Sequence, residues 1–329
     1  MRSFTFGGRA VLQELFLALG QLPRLETLSL RADESQVQMH LEDPIIVPDY
    51  SFPSLRQLDL YQLYASAIAR ICVIAPLFCR LVSASIIYKG KPSGHGFQFS
   101  HRFNRSEVAM TCLGADSPHI EYLTVLPEGE CPSEFLVSWT IVDKLRLLPL
   151  KYLRVGRINL KLDVSSRHLG GDQPTWDDLL TAVPQLEELH MDTYYISLNE
   201  LQLVGSRLPE LRLLVFWQVT LQEAGQQLKA AGATTQRIVL RSWSYFGGAE
   251  VQDDEFQSSW QPRLPADQSE VYAAARFLYG IWPNVICETQ NVSYWPRRYP
   301  PDEESGERLN KAIGLLKLGV DPEGSAQAE

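Results

Sequence analysis

One arrangement of apolar and polar positions returns along the chain. Pro23-x-Leu25-x-x-Leu28-x-Leu30 is its first full copy. Pro53 leads Leu55, Leu58 and Leu60; Pro76 leads Phe78 and Leu81, with Ser83 in the last place; Pro118 leads Ile120, Leu123 and Val125. Leu150, Leu153 and Val155 repeat the triplet with Pro149 displaced by one residue, and Pro184 and Pro209 restore the full phrase with Leu186, Leu189, Met191 and Leu211, Leu214, Phe216. Weaker copies hold Thr235, Ile238 and Leu240, then Pro283 and Val285. The last two apolar positions of each phrase are two residues apart, which is the period of a strand and turns both to one side.

The segments between phrases predict helices. Thr175-x-x-Asp178, Ser197-x-x-Glu200 and Thr220-x-x-Glu223 each fit a capping box, in which hydroxyl and carboxylate satisfy free helix N–H groups. The proline opening each phrase stops the helix before it, having no N–H and clashing with the preceding turn. Each unit therefore reads as helix, proline stop, short strand. A single strand so short cannot bury its face alone, so neighbouring units must supply the rest of the core. The predicted fold is α/β: a leucine-rich-repeat-like solenoid, a curved horseshoe with short parallel strands on the concave face and helices on the convex face. Residues 1–21 are expected to form a capping helix. Residues 22–300 form the solenoid, with an acidic loop at 247–268, and residues 301–329 form a helix followed by a disordered acidic tail.

Composition changes the picture in two ways. The 329 residues carry a net charge of −9. Residues 249–270 hold six acids against one arginine, and 302–329 hold seven acids against three basic residues, which accounts for all of it. No basic stripe remains to hold phosphates, so nucleic acid is not an expected partner, and with no run of 18 apolar residues a membrane is not expected either. Five scattered cysteines and no secretory signal favour a reducing compartment, cytoplasmic or nuclear.

The phrases, with their irregular lengths and Pro-x-Leu lead-in, resemble the divergent repeats of fungal F-box-like proteins with leucine-rich repeats. The resemblance covers about residues 22–292. It implies substrate recognition within an F-box-type ubiquitin ligase adaptor. An F-box itself is not visible ahead of Leu22, so Skp1 and a cullin ligase are expected partners only through an F-box outside this chain.

Residues between the core leucines should line the concave face. That placement nominates Arg31, Asp59, Tyr61, Tyr122, Tyr152, Arg154, His190, Asp192, Trp217, Arg241 and Trp243 as a protein- or peptide-binding set, rich in the residue types of interface hot spots. The strand register at 213–217 is open, because Leu-Arg-Leu-Leu-Val-Phe-Trp permits a one-residue slip. Catalytic, metal and cofactor sites are not expected. The glycine-rich stretch at 89–97 lacks the phosphate-loop spacing, and His95 and His101 lack partners at zinc spacing. Cys72 and Cys79 read as buried thiols of one apolar helix. Two other readings stay open: a hydrolase using a Glu188/His190/Asp192 face, and a degenerate structural repeat protein without a specific partner.

Overall fold

A computed structural model of the chain describes residues 1–7, 12–31, 45–89, 117–128, 135–136, 138–156, 158–159, 174–220, 237–242, 246–247, 268–289 and 303–320. The fold is mixed α/β, and it divides into two compact units, Met1–Val183 and Pro184–Glu329. The core of the expected acidic loop, the 89–97 glycine-rich stretch beyond Lys89, His95, His101, Trp243 and the tail after Val320 lie outside the described residues.

In the first unit, six strands pair in parallel: β1 (Ser3–Gly7), β2 (Thr27–Arg31), β3 (Gln57–Tyr64), β4 (Ser83–Lys89), β5 (Tyr122–Glu128) and, beyond a short β6 (Phe135–Leu136), β7 (Tyr152–Val155). A further short strand, β8 (Ile158–Asn159), pairs with β6. Helix α1 (Leu12–Gly20) joins β1 to β2; α2 (Ala65–Cys72) and α3 (Ala75–Phe78) join β3 to β4; α4 (Trp139–Arg146) precedes β7 and α5 (Trp176–Ala182) closes the unit.

The register explains why the phrase repeats. Leu28, Leu58, Ala84, Leu123 and Leu153 stand abreast on successive strands, as do Leu30, Leu60, Ile86, Val125 and Val155. All ten are buried. The lead-in residues Leu25, Leu55, Leu81, Ile120 and Leu150 form a third buried row. Each strand thus drops alternate side chains into one core, and the helical side covers it, as where α2 packs on β3 and β4. At the entry of each strand one carbonyl accepts two N–H donors from the next: Glu26 from Arg56 and Gln57, Arg56 from Val82 and Ser83, Val82 from Glu121 and Tyr122, Glu121 from Lys151 and Tyr152. This shared contact marks equivalent positions even where side chains differ.

It also corrects the sequence reading. The third copy is Leu81, Ala84, Ile86, not Phe78, Leu81, Ser83. Cys79 occupies the proline place and is exposed, while Cys72 alone of that pair is buried, because the apolar stretch breaks into two helices. The N-terminal stretch expected to be one helix begins as strand β1, whose Phe4 and Phe6 pair with Leu28 and Leu30 and so extend the same register. Gly20 is required by close approach: a Cβ there would sit 2.8 Å from the Ser51 Cβ, beside the bond from Phe52 N–H to the Gly20 carbonyl.

The second unit repeats the scheme. Strands β9 (Glu188–Ser197), β10 (Leu213–Thr220), β11 (Val239–Ser242) and β13 (Ile286–Thr289) are parallel and adjacent in that order, and β12 (Phe246–Gly247) pairs with the end of β10. Helix α6 (Leu198–Arg207) joins β9 to β10, α7 (Gln268–Ile281) precedes β13, and α8 (Glu303–Lys317) follows it. Leu189, Leu214, Leu240 and Cys287 stand abreast, all buried. Leu240 is therefore the equivalent of Leu214, not of Phe216 as the spacing suggested; Ser242 takes the place of Phe216. In the last two strands the buried lead-in residues, Ile238 and Val285, precede their partners by two residues instead of three. That contraction is what makes those copies weak in the sequence.

Both capping boxes within described helix starts form as expected, Thr175 with Asp178 on α5 and Ser197 with Glu200 on α6. Helix α8 packs on α7 and β13. Its Asn310 carboxamide accepts from the Cys287 N–H at 2.8 Å and donates to the Cys287 carbonyl at 2.7 Å, standing where another strand would pair.

Candidate protein-binding face

Opposite the buried rows, each strand turns its alternate residues outward. In the first unit three outer rows result. Gln57, Ser83, Tyr122 and Tyr152 form the lower one, Ser29, Asp59, Ser85, Thr124 and Arg154 the middle one, and Arg31, Tyr61, Ile87 and Leu126 the upper one. The six residues nominated from this unit all lie on the outward side, but in different rows. Tyr122 is level with Tyr152 and Gln57, whereas Asp59 is level with Arg154.

Two aromatic features stand on this face. Tyr122, 45% exposed, lies beside Tyr152 with ring centroids 6.4 Å apart and planes tilted by 35°. The Arg31 guanidinium stacks 5.0 Å from the centre of the Tyr61 ring, a cation–π contact, and its Nε donates to Gln62 Oε1 at 3.1 Å. Gln62 is buried and has φ of 60°, at the point where the β3–β4 register shifts between Tyr61 and Leu63. This bulge was missed in the sequence, where nothing distinguishes Gln62 from a loop glutamine.

Asp59 is half-buried, and Gln57 Nε2 donates to both its carboxylate oxygens at 3.3 and 3.1 Å. Burial pushes its carboxyl above the ordinary value, outweighing the opposing effect of the Gln57 bond. Along the lower rim, Lys151 pairs with Glu121 at 2.8 Å.

The second unit's outward face is different in kind. His190 lies level with Val215 and Arg241. Val215 is buried, so the row is interrupted by an apolar residue. Arg241 is tied to Glu288, its Nε and Nη2 both donating to one carboxylate oxygen at 3.0 and 2.7 Å. His190, with 14% of its side chain exposed, has its Nε2 3.5 Å from Glu188. The neighbouring strand places Leu213 beside Glu188 and Val215 beside His190, so β10 offers no nucleophile at either position. Asp192 and Trp217 belong to β9 and β10, but their side chains lie outside the described residues. The slip left open at 213–217 is settled for Leu214 and Phe216, which face the core.

Among the described residues no cluster of His, Cys, Asp and Glu is arranged to hold a metal ion, and no helix is long and apolar enough to cross a membrane. Burial pushes the Cys287 thiol up to about 12. The chain matches no known protein-family model and no curated protein.

Proposed function

We propose that this chain is a non-catalytic protein-recognition module, a leucine-rich-repeat-like solenoid in which the outward side of the strands is the concave, ligand-facing surface. What carries the reading is the register of the first unit. It assembles Arg31, Asp59, Tyr61, Tyr122, Tyr152 and Arg154 on one side of adjacent strands, away from the buried rows. Tyrosine and arginine give large contact area with polar ends, the chemistry of interface anchors. The Tyr122 ring is exposed although a neighbouring aromatic adjoins it, and the core needs neither Tyr122 nor Arg31 to be complete.

The resemblance to F-box-like proteins with leucine-rich repeats adds a specific version: substrate recognition for a ubiquitin ligase adaptor in the cytoplasm or nucleus. Two experiments separate the levels. A photo-crosslinking residue placed at Tyr122 captures a defined partner that the same residue at Arg146, on helix α4, does not. Equal capture from both positions refutes recognition by the strand face. Purification of the whole gene product with Skp1 supports the adaptor version, and its purification without Skp1 or a cullin removes that version alone.

A further inference from the structure

Two other acidic residues meet a cation within the fold: Glu121, on the lower rim, meets Lys151, and Glu288 meets Arg241. Asp59 does not. Among the described residues no lysine, arginine or histidine forms an ion pair with it, and its hydrogen bonds come from the neutral Gln57. The strand register sets Ser29 on one side of it and Ser85 on the other, two of the smallest polar side chains, with Tyr61 next along its own strand face.

A cation is close by and is held elsewhere. Arg31, one strand away and one outer row up, is turned onto the Tyr61 ring and bonded to Gln62. Gln62 reaches it from a left-handed backbone position within the β3 bulge, a conformation that ordinary side chains adopt only under constraint. Arg31 is thus held by Tyr61 and Gln62, and among the described residues it forms no ion pair with Asp59.

We propose that Asp59 is the anchor of the recognition face and receives a lysine or arginine side chain from a bound protein segment, seated between Ser29 and Ser85 and flanked by the Tyr61 ring. This inference rests on the reading of that face as a recognition surface and supplies its partner's chemistry. A carboxylate partly withdrawn from water, with only neutral partners among the described residues, gains a charge-assisted bond when a cation arrives. Burial already raises its proton affinity, the condition an incoming cation relieves. The two serine hydroxyls and the ring provide acceptors and a π-face for the rest of an ammonium or guanidinium group.

The test uses the full chain and its Asp59→Asn variant, which keeps the side chain's shape. A displayed library of random peptides is selected against the wild type. Enriched peptides carry a fixed lysine or arginine, and Asp59→Asn binds them about tenfold or more weakly, as does the wild type when that basic residue is replaced by methionine. Combining both changes costs no more than either alone, the mark of a direct pair. Thermal unfolding confirms that Asp59→Asn is folded, with stability at neutral pH above the wild type. Enriched peptides without a basic residue, or equal binding by Asp59→Asn, overturn the Asp59 inference and leave the recognition reading in place. Enrichment of no peptide overturns both.

Discussion

Replacing Asn310 tests how the second unit ends. Its carboxamide makes two hydrogen bonds to the backbone of Cys287, 2.8 Å to the N–H and 2.7 Å to the carbonyl, and only one orientation of the amide satisfies both. Cys287 is buried, level with Leu240, so its peptide groups have little access to replacement water. A hydrogen bond of this kind contributes about 1 kcal/mol net, and Asn310→Ala forfeits two, for a loss of about 2 kcal/mol. Asn310→Asp keeps an acceptor for the N–H but sets a carboxylate oxygen against the Cys287 carbonyl, so it is no better than alanine. Gly306, one turn earlier on α8, packs against the same carbonyl, where an added Cβ would lie at 3.3 Å, so the helix has no room to slide and compensate. Urea denaturation gives the stability, and amide hydrogen exchange at Cys287 gives the local effect. An Asn310→Ala variant within about 0.5 kcal/mol of wild type, with Cys287 exchange unchanged, refutes the idea that α8 completes the edge strand through this side chain.

Other changes probe different links. Leu189→Asp puts an unpaired charge into the row shared with Leu214 and Leu240, costs several kcal/mol and leaves the second unit unfolded by circular dichroism. Glu200→Ala removes the bonds from the Ser197 N–H and hydroxyl, 2.6 and 2.8 Å, and lowers stability by about 1 kcal/mol in thermal unfolding. Asp59 has a folded pKa raised above its unfolded value, so its protonation favours folding: the wild type loses stability as pH rises through the folded pKa. Asp59→Asn is thus the more stable protein at neutral pH, and the difference closes on acidification towards the unfolded value of 3.8. Among the described side chains, Arg31 on β2 and Tyr61 on β3 are the titratable neighbours on that face, and β4 sets Ser83, Ser85 and Ile87 level with Gln57, Asp59 and Tyr61. A difference that stays constant over that pH range contradicts the assignment.

How far the sequence could be read depended on local spacing. Leu28 and Leu30, Leu58 and Leu60, or Leu123 and Val125 declare themselves, because a short strand with one buried side demands two apolar residues at a spacing of two. Ala84 does not: an alanine satisfies a buried position without announcing it, while Pro76, Phe78 and Leu81 mimic the phrase although Phe78 closes helix α3. Ile238 reads as the second position of a weak copy and Val285 as a copy with little after it, because their lead-in is one residue short, a change visible only when the strands are laid side by side. Strand β1 escapes because Phe4 and Phe6 have no proline lead-in and the helix after them dominates the apolar pattern. For the face, the side on which Asp59, Tyr61, Tyr122 and Tyr152 lie was legible from alternation. Their rows were not, since a level position on neighbouring strands depends on pairing. The bulge at Gln62 and the internal pairing of Arg241 with Glu288 depend on the same long-range register, the latter across 47 residues of sequence.

The most direct test of recognition by the strand face compares two double variants. A peptide selected on the wild type is titrated against Tyr122→Ala/Tyr152→Ala, which clears the exposed aromatic pair, and against Asp143→Ala/Arg146→Ala, which removes an exposed ion pair on helix α4. Affinity falls by about tenfold or more for the tyrosine pair and is unchanged for the helix pair. The opposite ranking, or no loss from the tyrosine pair, contradicts recognition through this face.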